Sequence, residues 1–116
     1  MSTDEIFESA VRSEGDLGAF FEYEGETGYF YLYDCLGEEG HKVLDSIHIF
    51  SGKPALSQSD IDVRWDSDES RVGLFIKEVL WAVFDVRHQV KYGGGYKPGT
   101  HPSLPSAADA WFSLPS

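Results

Sequence analysis

The carboxylates Asp60, Asp62, Asp66, Asp68 and Glu69 crowd one short segment of a 116-residue chain. Oxygen ligands suit hard cations such as calcium, so the spacing decides whether this segment is a metal loop. With Asp66 as first ligand, Asp68 and Ser70 fit the alternating start of an EF-hand loop. Arg71 then stands where the turn glycine belongs, and Lys77 where the bidentate glutamate belongs, so no metal site is expected. The histidines His41, His48, His88 and His101 show neither HxH nor HxxxH spacing, so they form no zinc motif. His48 reads as a core or rim histidine. Cys35 and His41 are the right types for a nucleophile and its base, but their spacing implies no shared geometry. Gly93-Gly94-Gly95 belongs to neither phosphate-binding glycine pattern and reads as a hinge. No catalytic residue and no cofactor is expected.

Chemistry of another kind lies in the tyrosines. Ala19–Glu24 and Tyr29–Asp34 read as aromatic strands joined through Gly25-Glu26-Thr27-Gly28, a hairpin signal. Side chains alternate across a strand, so Tyr29, Tyr31 and Tyr33 share one face while Phe30 and Leu32 take the other. A row of tyrosines offers apolar area and hydroxyl groups together, which suits a binding surface. In Asp60–Trp65 the same alternation turns Ile61, Val63 and Trp65 inward. Asp60, Asp62 and Arg64 turn outward, as on a half-solvated antiparallel strand, and are the second candidate binding set.

These residues need a scaffold, and Arg71–Val86 is its densest apolar run. Val72, Phe75, Ile76, Val79, Leu80, Val83 and Phe84 also fit helical spacing. Two strands, Val72–Ile76 and Val79–Val86, turning at Lys77-Glu78, are the preferred reading. The run is rich in β-branched and aromatic residues, and Gly73 would cost a helix about 1 kcal/mol. Lys42–Phe50 reads as a strand with a bulge near Asp45-Ser46. Ser2 to Ser13 reads as a short helix, with Ser2 and Glu5 at capping-box spacing and an apolar stripe of Ile6, Phe7, Ala10 and Val11. The fold class that follows is all-β with minor helix: an antiparallel meander of five or six strands curled into a small barrel or sandwich. Its expected core is Phe20, Phe30, Leu32, Val43, Ile47, Ile61, Val63, Trp65, Leu74, Ile76, Leu80, Ala82 and Phe84. Residues 1–91 form one domain, and the Gly/Pro-rich residues 92–116 an irregular C-terminal arm. Within the arm, Ser106 and Asp109 have capping spacing, and Trp111 and Phe112 offer a docking pair for the domain or for a swapped homodimer.

Composition narrows the partner. The net charge is −11, and residues 1–69 hold seventeen acidic against four basic residues. Such a field repels a phosphate backbone, so neither nucleic acid nor an anionic membrane is an expected partner. A basic protein is. One cysteine excludes an internal disulfide, no apolar run is long enough to span a bilayer, and the acidic start is not expected to act as a signal peptide. A cytoplasmic protein is expected.

The stretches FFEYEGETGYFYLYD, IDVRW and VGLFIKEVLWAVFD, between Phe20 and Asp85, resemble a bacterial family of small domains of unknown function. That resemblance implies the hairpin for the last stretch and brings no activity with it. In size and charge the chain also resembles immunity proteins that neutralise secreted toxins. The leading expectation is a small acidic non-catalytic interaction protein. A small-molecule-binding β-barrel and an enzyme of unknown class, built on His48 or Cys35, are the alternatives.

Overall fold

The computed structural model describes residues 5–36, 42–53, 55–97 and 99–112. They form two four-stranded antiparallel sheets. The first contains β1 (Glu5–Val11), β2 (Leu17–Glu24), β3 (Thr27–Asp34) and β4 (Lys42–Ser51), in that order. The second contains β5 (Ile61–Trp65), β6 (Arg71–Ile76), β7 (Val79–Asp85) and β8 (Val90–Gly93). Both are meanders, so each strand pairs with its neighbour in sequence. The β class and antiparallel pairing agree with the sequence. The strand number is higher than five or six, and the described sheets do not close into a barrel.

The expected N-terminal helix is instead β1. Ile6 and Ala10 satisfy a period of two as well as a helical stripe. Seven residues of β1 pair in register with β2, from Glu5 opposite Glu24 to Val11 opposite Gly18. That ladder buries Ile6, which an isolated helix end could not do. Ser2, the expected cap, lies outside the described residues.

The 71–86 segment is the hairpin β6–β7. Lys77 and Glu78 make its turn with φ of 51° and 68°, a left-handed geometry that favours Gly or Asn. Nearly every residue of both strands is buried, because the hairpin is covered on both faces. Val72, Leu74 and Phe84 meet Phe21, Phe30 and Ile49 of the first sheet, with the Phe30 and Phe84 rings 5.0 Å apart. Phe75, Leu80 and Val83 face the other way and pack under Leu104, Ala108, Trp111 and Phe112 of the C-terminal segment. Those last residues include a single helical turn, α1 (Ala108–Trp111), with Ala107 rather than Ser106 at its N-cap. Gly73 lies beneath this cover. A methyl there would stand 2.9 Å from the Phe112 ring and 2.7 Å from Leu80, so glycine lets both side chains settle onto the strand without shifting.

Three expected core residues are placed elsewhere. Phe20 lies on the outer face of the first sheet, because Ala19, Phe21 and Tyr23 occupy the inward positions of β2. Val43 is 49% exposed, since a register shift opposite Leu32 and Tyr33 releases the start of β4 from the core. This bulge falls at Leu44, one residue before the expected site. Trp65 is partly buried and packs against the rim, donating its indole N–H to the Ala10 carbonyl at 3.1 Å.

The margins of the first sheet are occupied from within the chain. On β1, the Gln58 side-chain amide accepts from Phe7 N–H at 3.1 Å and donates to the Phe7 carbonyl at 2.7 Å. On β4, Gly95 N–H donates to His48 O at 3.2 Å and Tyr96 N–H to Ile49 O at 2.6 Å. The two sheets are also tied at their turns. Arg12 forks onto Asp16 at 2.6 and 2.7 Å and donates to the Glu69 carbonyl at 3.0 Å. Among the described residues, no helix is long and apolar enough to cross a membrane.

Candidate functional site

The outer faces of the two sheets differ. The C-terminal segment covers that of the second sheet, while that of the first sheet carries a continuous run of aromatic rings. Period-two alternation builds it: Phe7 on β1, Phe20 on β2, and Tyr29, Tyr31 and Tyr33 on β3. The register then sets neighbours side by side, Phe20 opposite Tyr31 and Tyr29 opposite His48. Ring centroids are 5.4 Å apart for Phe7 and Phe20, 4.8 Å for Phe20 and Tyr31, and 5.2 Å for Phe20 and Tyr33. The run continues through Tyr29, 5.7 Å from Tyr31, to His48, 5.3 Å from Tyr29. Tyr33 is buried beneath this layer, over Gly18, where a Cβ would stand 2.8 Å from its ring. Phe7 is 54% exposed.

Carboxylates border the rings. The same register positions hold Glu5, Glu22 and Glu24, and no lysine or arginine in β1, β2 or β3. Glu5 stands directly opposite Glu24, a like-charge pair that disfavours the strand pairing. Partial burial, then repulsion from Glu24 and Glu5, pushes the Glu22 carboxyl above its ordinary range. Burial likewise raises the Tyr31 phenol, aided by Glu22, Tyr29 and Glu24. Glu22, Glu24, Glu26, Thr27, Tyr29 and Tyr31 line an open groove of about 410 Å³. Its chemistry is aromatic and anionic at once, suited to a cation with an apolar stem.

The structure therefore brings Tyr29, Tyr31 and Tyr33 onto one face, and it adds Phe7, Phe20, Glu22 and Glu24, which the strand-by-strand reading left out. The parity of AFFEYE carried that signal, since Phe20, Glu22 and Glu24 alternate together. Asp60, Asp62 and Arg64 do not join them, because they belong to the second sheet. Asp62 and Arg64 pair with each other at 2.6 Å, and the Arg64 guanidinium lies 3.9 Å from the centre of the Phe75 ring. Asp60 ends a single 3-10 turn and its carbonyl accepts from Lys77 N–H at 2.7 Å.

Of the remaining candidates, Asp66, Asp68, His48 and His88 have structural partners. Asp66 accepts from Ser70 and Arg71 N–H, both at 3.0 Å, and Asp68 from the Ser70 hydroxyl at 2.7 Å, so both carboxylates shape the β5–β6 turn. Arg71 reaches Asp66 at 3.5 Å and Asp85 at 3.2 Å, and stacks 4.3 Å over Trp111. Asp85 also accepts from His88 N–H at 3.0 Å, with the His88 ring nitrogen 3.0 Å away. His48, expected in the core or at the rim, is exposed, its Nε2 3.0 Å from the Ser51 hydroxyl. Cys35 is partly buried, and His41 lies outside the described residues.

The chain is 26% identical over 105 residues to an uncharacterised protein of Haemophilus influenzae, covering 82% of this chain and 65% of that protein. The chain thus spans less than two thirds of the relative's length. No solved structure matches it. The model of DUF2251, uncharacterised proteins conserved in bacteria, matches residues 1–111, and the chain belongs to that family.

Proposed function

We propose that this chain is a non-catalytic interaction protein whose aromatic, acidic face holds a basic protein partner. One observation carries the reading: among the described residues, no segment covers the aromatic outer face of the first sheet, and its carboxylates repel one another. A monomeric fold gains nothing from Glu5 opposite Glu24 or from the raised Glu22, whereas an arriving lysine or arginine relieves both. Phe7, Tyr29 and Tyr31 supply apolar anchor area, and the acidic half of the chain steers a cationic surface toward them. The reading is immunity-like, since a small acidic protein that neutralises a basic toxin needs such a face. The lone Cys35 fits a reducing compartment such as the cytoplasm.

The test is capture from cell extract at low salt, run with wild type, Tyr29→Ala/Tyr31→Ala, Glu22→Gln/Glu24→Gln, and an Asp62→Asn/Arg64→Gln control. One basic protein should be held by wild type and control and lost from both face variants. Recovery of no basic protein, or equal recovery by the face variants, refutes the proposal. So would capture of nucleic acid or lipid instead. A second copy of this chain occupying the face, seen as a dimer that Tyr31→Ala dissolves, would refute it too.

A further inference from the structure

Among the described residues, five of the chain's nine lysines and arginines pair with carboxylates in ion pairs of 3.5 Å or less. Arg12 pairs with Asp16, Arg64 with Asp62, Arg71 with Asp66 and Asp85, Arg87 with Asp68, and Lys91 with Asp45. Lys77, Lys97 and His101 differ: among the described residues, no carboxylate pairs with their side chains. All three border one cavity of about 280 Å³, between the β6–β7 turn and the chain that follows β8. Ile76, Val79, Trp81 and Tyr96 form its apolar wall, with the Trp81 and Tyr96 rings edge to face at 4.9 Å.

In a chain carrying twenty acidic residues, this concave site is lined by two lysines and a histidine and by no carboxylate, while the carboxylates nearest Lys77 (Asp60, Asp62 and Glu78) line the adjoining groove. The turn that presents Lys77 is strained, with φ of 51° at Lys77 and 68° at Glu78, where Asn-Gly would sit at lower cost. Val79 stays 47% exposed at the wall. We propose that this cavity binds a small organic anion, a carboxylate on a ring-sized apolar body. The body would sit against Trp81 and Tyr96, and the carboxylate would reach the Lys77 and Lys97 ammonium groups. The dimensions suit a pocket that fixes a compact ligand through a few polar groups. This site stands apart from the aromatic face of the first sheet and does not depend on the reading given to that face.

The test is amide nitrogen–proton correlation NMR on the full chain, titrated separately with phenylpropionate, phenylpropanol and phenylpropylamine. Phenylpropionate should give saturable shifts at residues 76–81 and 96–101 and at the Trp81 indole N–H, and the other two should not. Lys77→Gln/Lys97→Gln should weaken phenylpropionate about tenfold or more while its spectrum stays dispersed. Binding of the alcohol as tight as the acid would overturn the proposal. So would saturable shifts centred elsewhere, the absence of saturable shifts, or unchanged affinity in a folded double variant.

Discussion

Replacing Arg71 by Met should destabilise the chain in a way that depends on pH. Asp85 is 4% exposed and Asp66 8%, and both share the Arg71 guanidinium. Removing one partner of a buried ion pair costs about 3–5 kcal/mol, because the other charge is left in a poorly solvated site. Arg71 is 25% exposed and His88 remains on Asp85, so the lower end applies, about 3 kcal/mol. At a urea slope of about 1.5 kcal/mol per molar, the unfolding midpoint should fall by about 2 M with the slope unchanged. The pH dependence follows from Asp85. Burial pushes its carboxyl up, but the His88 N–H, the His88 ring and Arg71 outweigh burial and hold it below the ordinary 3.8. A lowered carboxyl contributes stability above its unfolded value, and that stability is lost as pH falls through the folded one. Arg71→Met forfeits part of it, so the deficit should be full at neutral pH and shrink by about pH 3. Arg71→Lys keeps the charge but loses the planar stack on Trp111, and should fall between the two. Urea titrations at both pH values decide. A deficit below about 1 kcal/mol at neutral pH, or one equal at both, would refute the assigned role of the network.

Phe112→Ala should cost about 2 kcal/mol in chemical denaturation and increase binding of an apolar dye, because it uncovers Phe75, 5.4 Å from the Phe112 ring. Gln58→Ala should cost about 1–2 kcal/mol and speed hydrogen exchange at the Phe7 amide, which it leaves without its partner. Glu22→Gln should raise the melting temperature at neutral pH while weakening capture of a basic partner. Its carboxyl is raised in the fold, so it favours the fold below its unfolded value and loses that contribution as pH rises through the folded one. The gain from Gln should therefore vanish in acid. Lys77→Asn/Glu78→Gly should stabilise by about 1 kcal/mol or more in thermal unfolding, since both positions need positive φ.

Much of the second sheet was legible because its signals are local. The β-branched and aromatic run of 71–86, broken at Lys77-Glu78, marks a hairpin even though that pair is poor turn chemistry. Its burial on both faces was not legible, because the cover comes from Trp111 and Phe112, far along the chain. The N-terminal segment was misread for the converse reason. Ile6 and Ala10 fit either period, and what decides between them is pairing with β2, which no window around Ile6 contains. The tyrosine face followed from alternation within β3, but its completion by Phe20 and Glu22 depends on the β2–β3 register. That register is set by a tight Gly25-Glu26 turn with Gly25 at φ 97°, shorter than the four-residue loop expected. The cavity between Lys77 and Lys97 was invisible in sequence, since nothing near either lysine refers to the other.

The side chain of Gln58 and the amides of Gly95 and Tyr96 take up backbone groups at both margins of the first sheet. An extended peptide arriving at Phe7, His48 or Ile49 therefore finds those backbone groups already engaged, which disfavours strand addition and fibril growth at these positions. A partner that docks across those positions reads the side chains of the sheet from above.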